Sequence, residues 1–488
     1  MKTTYSLAMA ALSAAVLTAC GSGGDVSSGP TIDLSTARGT IVANSPAVLA
    51  AFPTAADYTA VLSASASGRG LLGAAGAPKC GVTFHYMQYN TVGGANEPTN
   101  ASAGIMVPSG TDAACTGPRP VLLYAHGTTV EKNYNFASPA NSETALIAAM
   151  YAAQGFIVVG SSYAGYESST LPYHPYLNGE QQSNDMIDAL RAARKAFPTI
   201  GANASNKLFI SGYSQGGHVA MATMKAMQSP TYSGEFSVTA LGAMAGPYSM
   251  VKTVQTIFAG GVNAGATVFA PLIFTSWQKS YGNMYTSPSE AYEAAYATGI
   301  ESLLPTATLT FNGLFTSGKL PPYLFASGPL VTADPGLNAL FAAGVGTPNL
   351  INQSYRQTIL TTPTHPLWAA AAKNDLTLGW TPTRPVSMCT GAADPTVYAT
   401  NMADAATAFS TRGAGALVRV FDVENAATVG PALAGAFAAA KAATAADPAA
   451  PGASPAEKVV QAYHGGLVPP FCNIATRGFF QSVLAAGQ

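Results

Sequence analysis

The chain has 488 residues, with 22 Lys+Arg against 23 Asp+Glu, so only 9% of its side chains are charged; an ordinary soluble domain carries roughly 25%. A hydrophobic fraction of 48% excludes disorder, which needs low hydrophobicity and high net charge. The net charge of −1 provides no basic field for a nucleic-acid partner, and the length allows one large domain or two to three ordinary ones, either way with a large core.

The first element in chain order is a targeting segment. Lys2 supplies a positive start and residues 7–17 form a short apolar run, too short to span a bilayer. The ending Leu17-Thr18-Ala19-Cys20 resembles the lipobox of bacterial lipoproteins. That resemblance implies cleavage before Cys20 and lipidation of Cys20. With Gly21 next rather than Asp, it also implies the outer membrane. Residues 1–20 are therefore expected to be a lipoprotein signal peptide, 21–30 (GSGGDVSSGP) a flexible tether, and 31–488 the folded domain. Export puts Cys80, Cys115, Cys389 and Cys472 in an oxidising compartment, where they can pair in three ways.

Residues 31–80 are Ala/Ser-rich and expected to pack as helices or loops. A hairpin is predicted from the alternating 82–90 (VTFHYMQYN) and the returning 103–107. Residues 120–125 (PVLLYA) are a continuous apolar run, as a buried parallel strand requires. There follow a helix at 143–154, a strand at 156–161, a helix at 184–197 with acids early and bases late, a strand at 207–211, a helix at 216–227 and a strand at 236–244. This alternation predicts an α/β fold with a mostly parallel, doubly wound sheet. From about 247 to 374 the rhythm breaks, and the stretch reads as an inserted cap. Residues 253–278 carry no charge, but Gly260, Gly261, Asn263 and Pro271 interrupt them, so no membrane span is expected. Strands resume at 385–390 and 416–423, with a helix at 396–410 between them. Residues 437–456 are expected to be a low-complexity surface excursion, and 473–486 a closing helix.

Gly212-Tyr213-Ser214-Gln215-Gly216 is a G-x-S-x-G pattern between a predicted strand and a predicted helix. That context defines a nucleophile elbow, with Ser214 exposed above the sheet and Gly212 and Gly216 letting strand and helix approach. A serine hydroxyl needs a base, and in this topology the chain order is nucleophile, acid, histidine. The acid position follows the strand at 385–390, where Asp394 stands. Asp422 and Glu424, at the end of the next strand, are the rivals. Of the six histidines only His464 lies beyond Asp394, and a loop before the last helix is expected to hang it over Ser214. His218 is expected to pack locally, His126 to be structural, and His365 to be at most a substrate contact. The Gln215 amide is one oxyanion donor. The second is expected from the loop after residues 120–125, with the Thr128 amide as candidate.

The elbow GYSQGGH, the loop YAHGTT, His174-Pro175-Tyr176-Leu177 ahead of DMIDALRAAR, and Lys373-Asn374-Asp375-Leu376 before PVSMCTGAADPTV resemble the secretory lipase-like branch of the α/β-hydrolases. The resemblance runs from about residue 82 to the C-terminus. It implies an α/β-hydrolase fold with a cap insertion, activity on carboxylic esters, and Ser214, Asp394 and His464 at the triad positions. One departure is Ser162, where many relatives carry Asp before the Tyr-x-Gly of Tyr163-Ala164-Gly165. If the triad assembles, Cys389 and Cys472 become neighbours, so the favoured pairing is Cys389–Cys472 with Cys80–Cys115, the second bridging the hairpin.

Gly68-Arg69-Gly70-Leu71-Leu72-Gly73 matches G-x-G-x-x-G, but no strand precedes it, so the dinucleotide reading fails. No Walker A loop and no H-E-x-x-H occur, and no cofactor or metal is expected. The function expected is a serine esterase or lipase acting on a small-molecule, lipid or polymer ester, with the membrane touched only through the N-terminal lipid. The alternatives are a peptidase or polyester depolymerase on the same fold, or a non-catalytic ligand-binding lipoprotein.

Overall fold

A computed structural model describes residues 38–42, 46–327 and 344–487. The expected signal peptide, Cys20 and tether lie outside these residues.

A nine-stranded sheet runs through the described residues in the order β1-β2-β3-β5-β4-β6-β7-β8-β9. The first edge is antiparallel. β1 (Ala47–Phe52) pairs with β2 (Gly81–Val92), β2 with β3 (Pro98–Ser109), and β3 with β5 (Ile157–Ser161). From β5 onward every pair is parallel, through β4 (Arg119–Ala125), β6 (Ala204–Tyr213), β7 (Val238–Met244), β8 (Val386–Thr390) and β9 (Val418–Asp422).

The central strands are apolar on both faces because helices cover both. Successive side chains of β4 alternate between two cores. Val121, Leu123 and Ala125 join one, with Met186, Ile187 and Leu190 of α4 (Gly179–Ala196) and Val219 and Met221 of α5 (Gln215–Met227). Leu122 and Tyr124 join the other, with Leu146 and Ile147 of α3 (Ser142–Met150) and Phe480 of the closing helix Val468–Ala485. Tyr58 and Leu62 of α1 (Ala55–Ser63) and Ala75 of α2 (Ala66–Ala75) extend that second core. The Gly68–Gly73 pattern therefore lies within α2, and no strand leads into it.

After β7 the chain leaves the sheet and does not return until β8. In between, α6 (Met250–Ala259), α7 (Ala266–Tyr281), the helices Gln353–Thr361 and Pro366–Lys373 and several short turns enclose an apolar cluster of their own around Phe258, Phe274, Trp277 and Tyr292. α7 contains Pro271. Among the described residues no helix is long and apolar enough to cross a membrane.

Several boundaries differ from the sequence expectation. β1 was not anticipated: AVLAAF is Ala-rich, and this edge strand pairs on one side only, so little packing pressure shapes its pattern. α4 begins at Gly179, because Asn178 Oδ1 accepts the Gln181 amide and caps it there. The 437–456 stretch is not irregular throughout. Its first half belongs to the helix Pro431–Ala446, whose exposed alanines show no amphipathic period but favour helix intrinsically.

Both disulfides join the favoured pairs. Cys80–Cys115 ties the start of β2 to the turn before β4, and Cys389–Cys472 ties β8 to the closing helix across 83 residues of sequence. Replacing both Cys389 and Cys472 by Ser is expected to lower unfolding free energy by about 2–4 kcal/mol, read as a lower thermal midpoint by calorimetry. An unchanged midpoint would mean that packing alone joins the two segments.

Candidate active site

The elbow is built by close approach. Ser214 sits at φ 59 and ψ −123 between β6 and α5, a left-handed position that costs a non-glycine residue about 1–3 kcal/mol. Its amide donates to Met244 O at 2.9 Å, fastening the turn to β7. A Cβ on Gly216 would fall well inside van der Waals contact of Ala125 O, and one on Gly212 would collide with Gly216 O. Only glycine lets β4, β6 and α5 meet at this point.

Three sequence-predicted side chains come together there. Ser214 Oγ and His464 Nε2 are 2.8 Å apart, and His464 Nδ1 is 2.7 Å from Asp394 Oδ2. Asp394 is 2% exposed, and its Oδ1 accepts the amides of Thr396 and Val397 at 2.9 and 3.0 Å. A carboxylate only accepts, so Nδ1 carries the proton and Nε2 is left to accept from the serine hydroxyl. The rivals are engaged elsewhere. Asp422 accepts the amides of Ala392 and Glu424, while Glu424 pairs with Lys441 at 2.8 Å and accepts from Tyr463 Oη.

His464 does not hang from a loop as expected. Residues Tyr463–Leu467 form a single π-helical turn between the helix Pro455–Ala462 and the closing helix. The widened turn projects the imidazole out of an otherwise continuous helical run, a use to which such bulges are often put. Tyr213 Oη donates to His464 O at 2.5 Å, and the Ala393 amide donates to Tyr463 Oη at 3.2 Å. His464, the elbow and the Asp394 loop are thus cross-linked through two tyrosines, Tyr213 and Tyr463, to which the sequence assigned no role.

The other histidines are structural. His126 is fully buried between the rings of Tyr134 and Tyr163, with centroids 4.1 and 4.0 Å away, and burial lowers it to about 4. His174 donates from Nδ1 to Ala164 O at 2.9 Å and accepts from Gln215 Nε2 at 2.7 Å. Burial lowers His174 to about 3, so it stays a neutral acceptor that steadies the residue after the nucleophile. His218 does not bond locally as expected. It reaches Asn374 O, 156 residues away, at 2.9 Å, because the first turn of α5 faces the segment that returns from the cap. His365 Nδ1 accepts the Leu367 amide and caps the helix Pro366–Lys373. Ser162 is buried and accepts the Phe136 amide at 3.0 Å, a backbone-fastening role.

Thr128 lies beside the elbow, on a cleft that also contains Gly127, Ser214 and His464. Its hydroxyl bonds Tyr176 Oη at 2.8 Å, while among the described residues its amide and that of Gln215 have no hydrogen-bond acceptor. Ser214 stands where two hollows meet. One is lined by apolar side chains of α6 and α7, among them Ile257, Phe258, Phe269, Ala270 and Ile273. The other is the wider cleft, bordered by Leu71, Phe311 and Pro469. Phe269 and Thr396 border both. Among the described residues no cluster of side chains could hold a metal ion.

The mixed sheet and the elbow at its centre define an α/β-hydrolase fold. Residues 135–302 match the family model for secretory lipase. The chain is similar to the rice cell wall degrading esterase LipA from Xanthomonas oryzae, with 27% identity over 81% of this chain and 94% of that one and a TM-score of 0.67. A Legionella pneumophila protein is 18% identical over 78% of this chain and 91% of its own, with a TM-score of 0.62. Lipase A from Candida antarctica is 15% identical over 79% and 77%, with a TM-score of 0.50. At these last identities the likeness is one of fold. No curated protein sequence matches the chain.

The packing at Gly216 has a direct consequence. Gly216→Ala is expected to reduce soluble yield and lower the thermal midpoint, since the added methyl meets backbone rather than a movable side chain. A variant as stable as the parent would contradict that packing.

Proposed function

We propose that the protein is a carboxylic ester hydrolase working through an acyl-enzyme, with Ser214 as nucleophile, His464 as base and Asp394 as its orienting acid. The observation that carries this reading is the hydrogen-bonded chain from Ser214 Oγ through His464 to Asp394, placed at the neck between an apolar hollow and an open cleft. His464 Nε2 takes the hydroxyl proton as Ser214 Oγ attacks the ester carbonyl, and the negative carbonyl oxygen is held by the amides of Gln215 and Thr128. The imidazolium, stabilised by Asp394, passes its proton to the leaving alcohol. Water then repeats the sequence on the acyl-enzyme and releases the acid.

The apolar hollow suits the acyl chain and the open cleft the alcohol. The match to a secretory-lipase model and the likeness to an esterase support ester over amide chemistry. In p-nitrophenyl ester assays of graded acyl length, Ser214→Ala is expected to lower kcat by about 10⁴–10⁶. Ala270→Phe is expected to cut the preference for octanoate over butyrate roughly tenfold, the value of about two buried methylenes. Undiminished turnover by Ser214→Ala, or cleavage of X-Pro amides without ester turnover, would overturn the reading.

The same reading includes export and anchoring through a lipidated Cys20. Cells fed labelled palmitate are expected to label the parent but not Cys20→Ser, with esterase activity leaving the membrane fraction in the variant. Equal labelling of both would remove the anchor.

A further inference from the structure

Beneath the loop that follows β4 lies a carboxyl group to which the mechanism above gives no task. Glu143, in the first turn of α3, accepts the Gly127 amide on both oxygens, each at 3.1 Å, and Tyr124 Oη on Oε1 at 2.9 Å. It borders the same cleft as Ser214, Thr128 and His464. A Cβ built on Gly127 would stand 3.6 Å from Glu143 Oε2 and 3.8 Å from Ser214 Cβ, so the Gly127 backbone lies between the carboxyl and the nucleophile. Among the described residues no cation forms an ion pair with Glu143. The titratable groups around it are Tyr124 on β4, Tyr134 in the loop beyond, Tyr163 after β5 and Tyr213 on β6, with His464 across the cleft.

A salt-bridging carboxylate would gain stability from its partner. This one gives up hydration and receives in return one backbone amide and one phenol. Its consequence is local: Glu143 holds the His126–Gly127 peptide by its amide, and His126 Nδ1 bonds the Gly127 carbonyl at 2.6 Å, so the peptides on both sides of Gly127 are held and the direction of the Thr128 N–H is set. We propose that Glu143 is a positioning residue for the second oxyanion donor. Its carboxyl fixes the His126–Gly127 peptide and, together with the His126 bond to the Gly127 carbonyl, turns the Thr128 N–H to the acyl oxygen on Ser214. The inference rests on the Ser214 mechanism and on Thr128 as donor.

Burial raises the Glu143 carboxyl to about 7, so its charge changes near neutral pH. The ionised form accepts the Gly127 amide more strongly than the protonated form. The restraint on the loop is therefore present above about pH 7 and weakens as the pH falls through that value. A glutamine keeps one acceptor oxygen and does not titrate.

The test uses the full chain with p-nitrophenyl butyrate and compares the parent, Glu143→Gln, Glu143→Ala and Ser214→Ala. Glu143→Ala is expected to lose about 10–100-fold in kcat with KM changed less than threefold, and Glu143→Gln to recover most of that loss. The ratio of parent to Glu143→Gln kcat should fall as the pH drops from 8 to 6. Labelling of Ser214 by a fluorophosphonate shows that the two Glu143 variants are folded at the elbow, and the thermal midpoint shows it for Ser214→Ala. An Ala variant with parental kcat, or a ratio flat with pH, would overturn the inference while Ser214→Ala remained inactive. Activity retained by Ser214→Ala would instead overturn the mechanism on which the inference rests.

Discussion

The backbone at Ser214 is the constraint on which the rest of the site depends. A left-handed serine can be held only if its surroundings over-determine it, and here three strands and a helix do so. β4 and β6 are in register, Ala125 opposite Gly212. The Ala125 carbonyl presses on Gly216, and Met244 at the end of β7 takes the serine amide. The strain is offset by a core buried on both faces of the sheet. The site therefore cannot form until the central strands have paired, and once they have, Ser214 has nowhere else to go.

Asp394 and His464 are tied to that fixed point and to each other. Asp394 follows β8 and is oriented by the two amides that it accepts. His464 is carried by a π-helical turn, held through its carbonyl by Tyr213 and through its neighbour Tyr463 by the acid loop. The Cys389–Cys472 bridge joins the strand before the acid to the helix after the base. These links matter because Ser214 and His464 are 250 residues apart in sequence, and the entropy of bringing them together has to be met by structure outside the site.

The low charge of the chain now has a location. The charge-free residues 253–278 supply much of α6 and α7, whose side chains line the apolar hollow beside Ser214. The turn between Ala259 and Ala266 divides that apolar stretch into two helices, and Pro271 is accommodated inside the second. The rest of the deficit lies in Ala-rich helices near the surface, such as Pro431–Ala446, where intrinsic propensity stands in for amphipathic packing.

The sequence alone determined the parallel core, because strands buried on both faces must be apolar throughout, and PVLLYA and LFIS are. It pointed to Ser214, because G-x-S-x-G between such a strand and a helix is the pattern of a nucleophile elbow, and to His464, because no other histidine follows Asp394; the structure brings their side chains within 2.8 Å. Asp394 was separable from Asp422 and Glu424 only by its place in the strand order. Which oxygen meets which nitrogen depended on the tertiary structure, as did the long reach of His218 to Asn374, the capping role of His365 and the π turn under His464. So did the place of Glu143 beneath the Gly127 peptide. Those features come from contacts between segments distant in sequence, and no local period or spacing encodes them. The periodicity of a strand or helix records which face is buried. The partner of a buried polar group is chosen only when the packed chain brings one within reach.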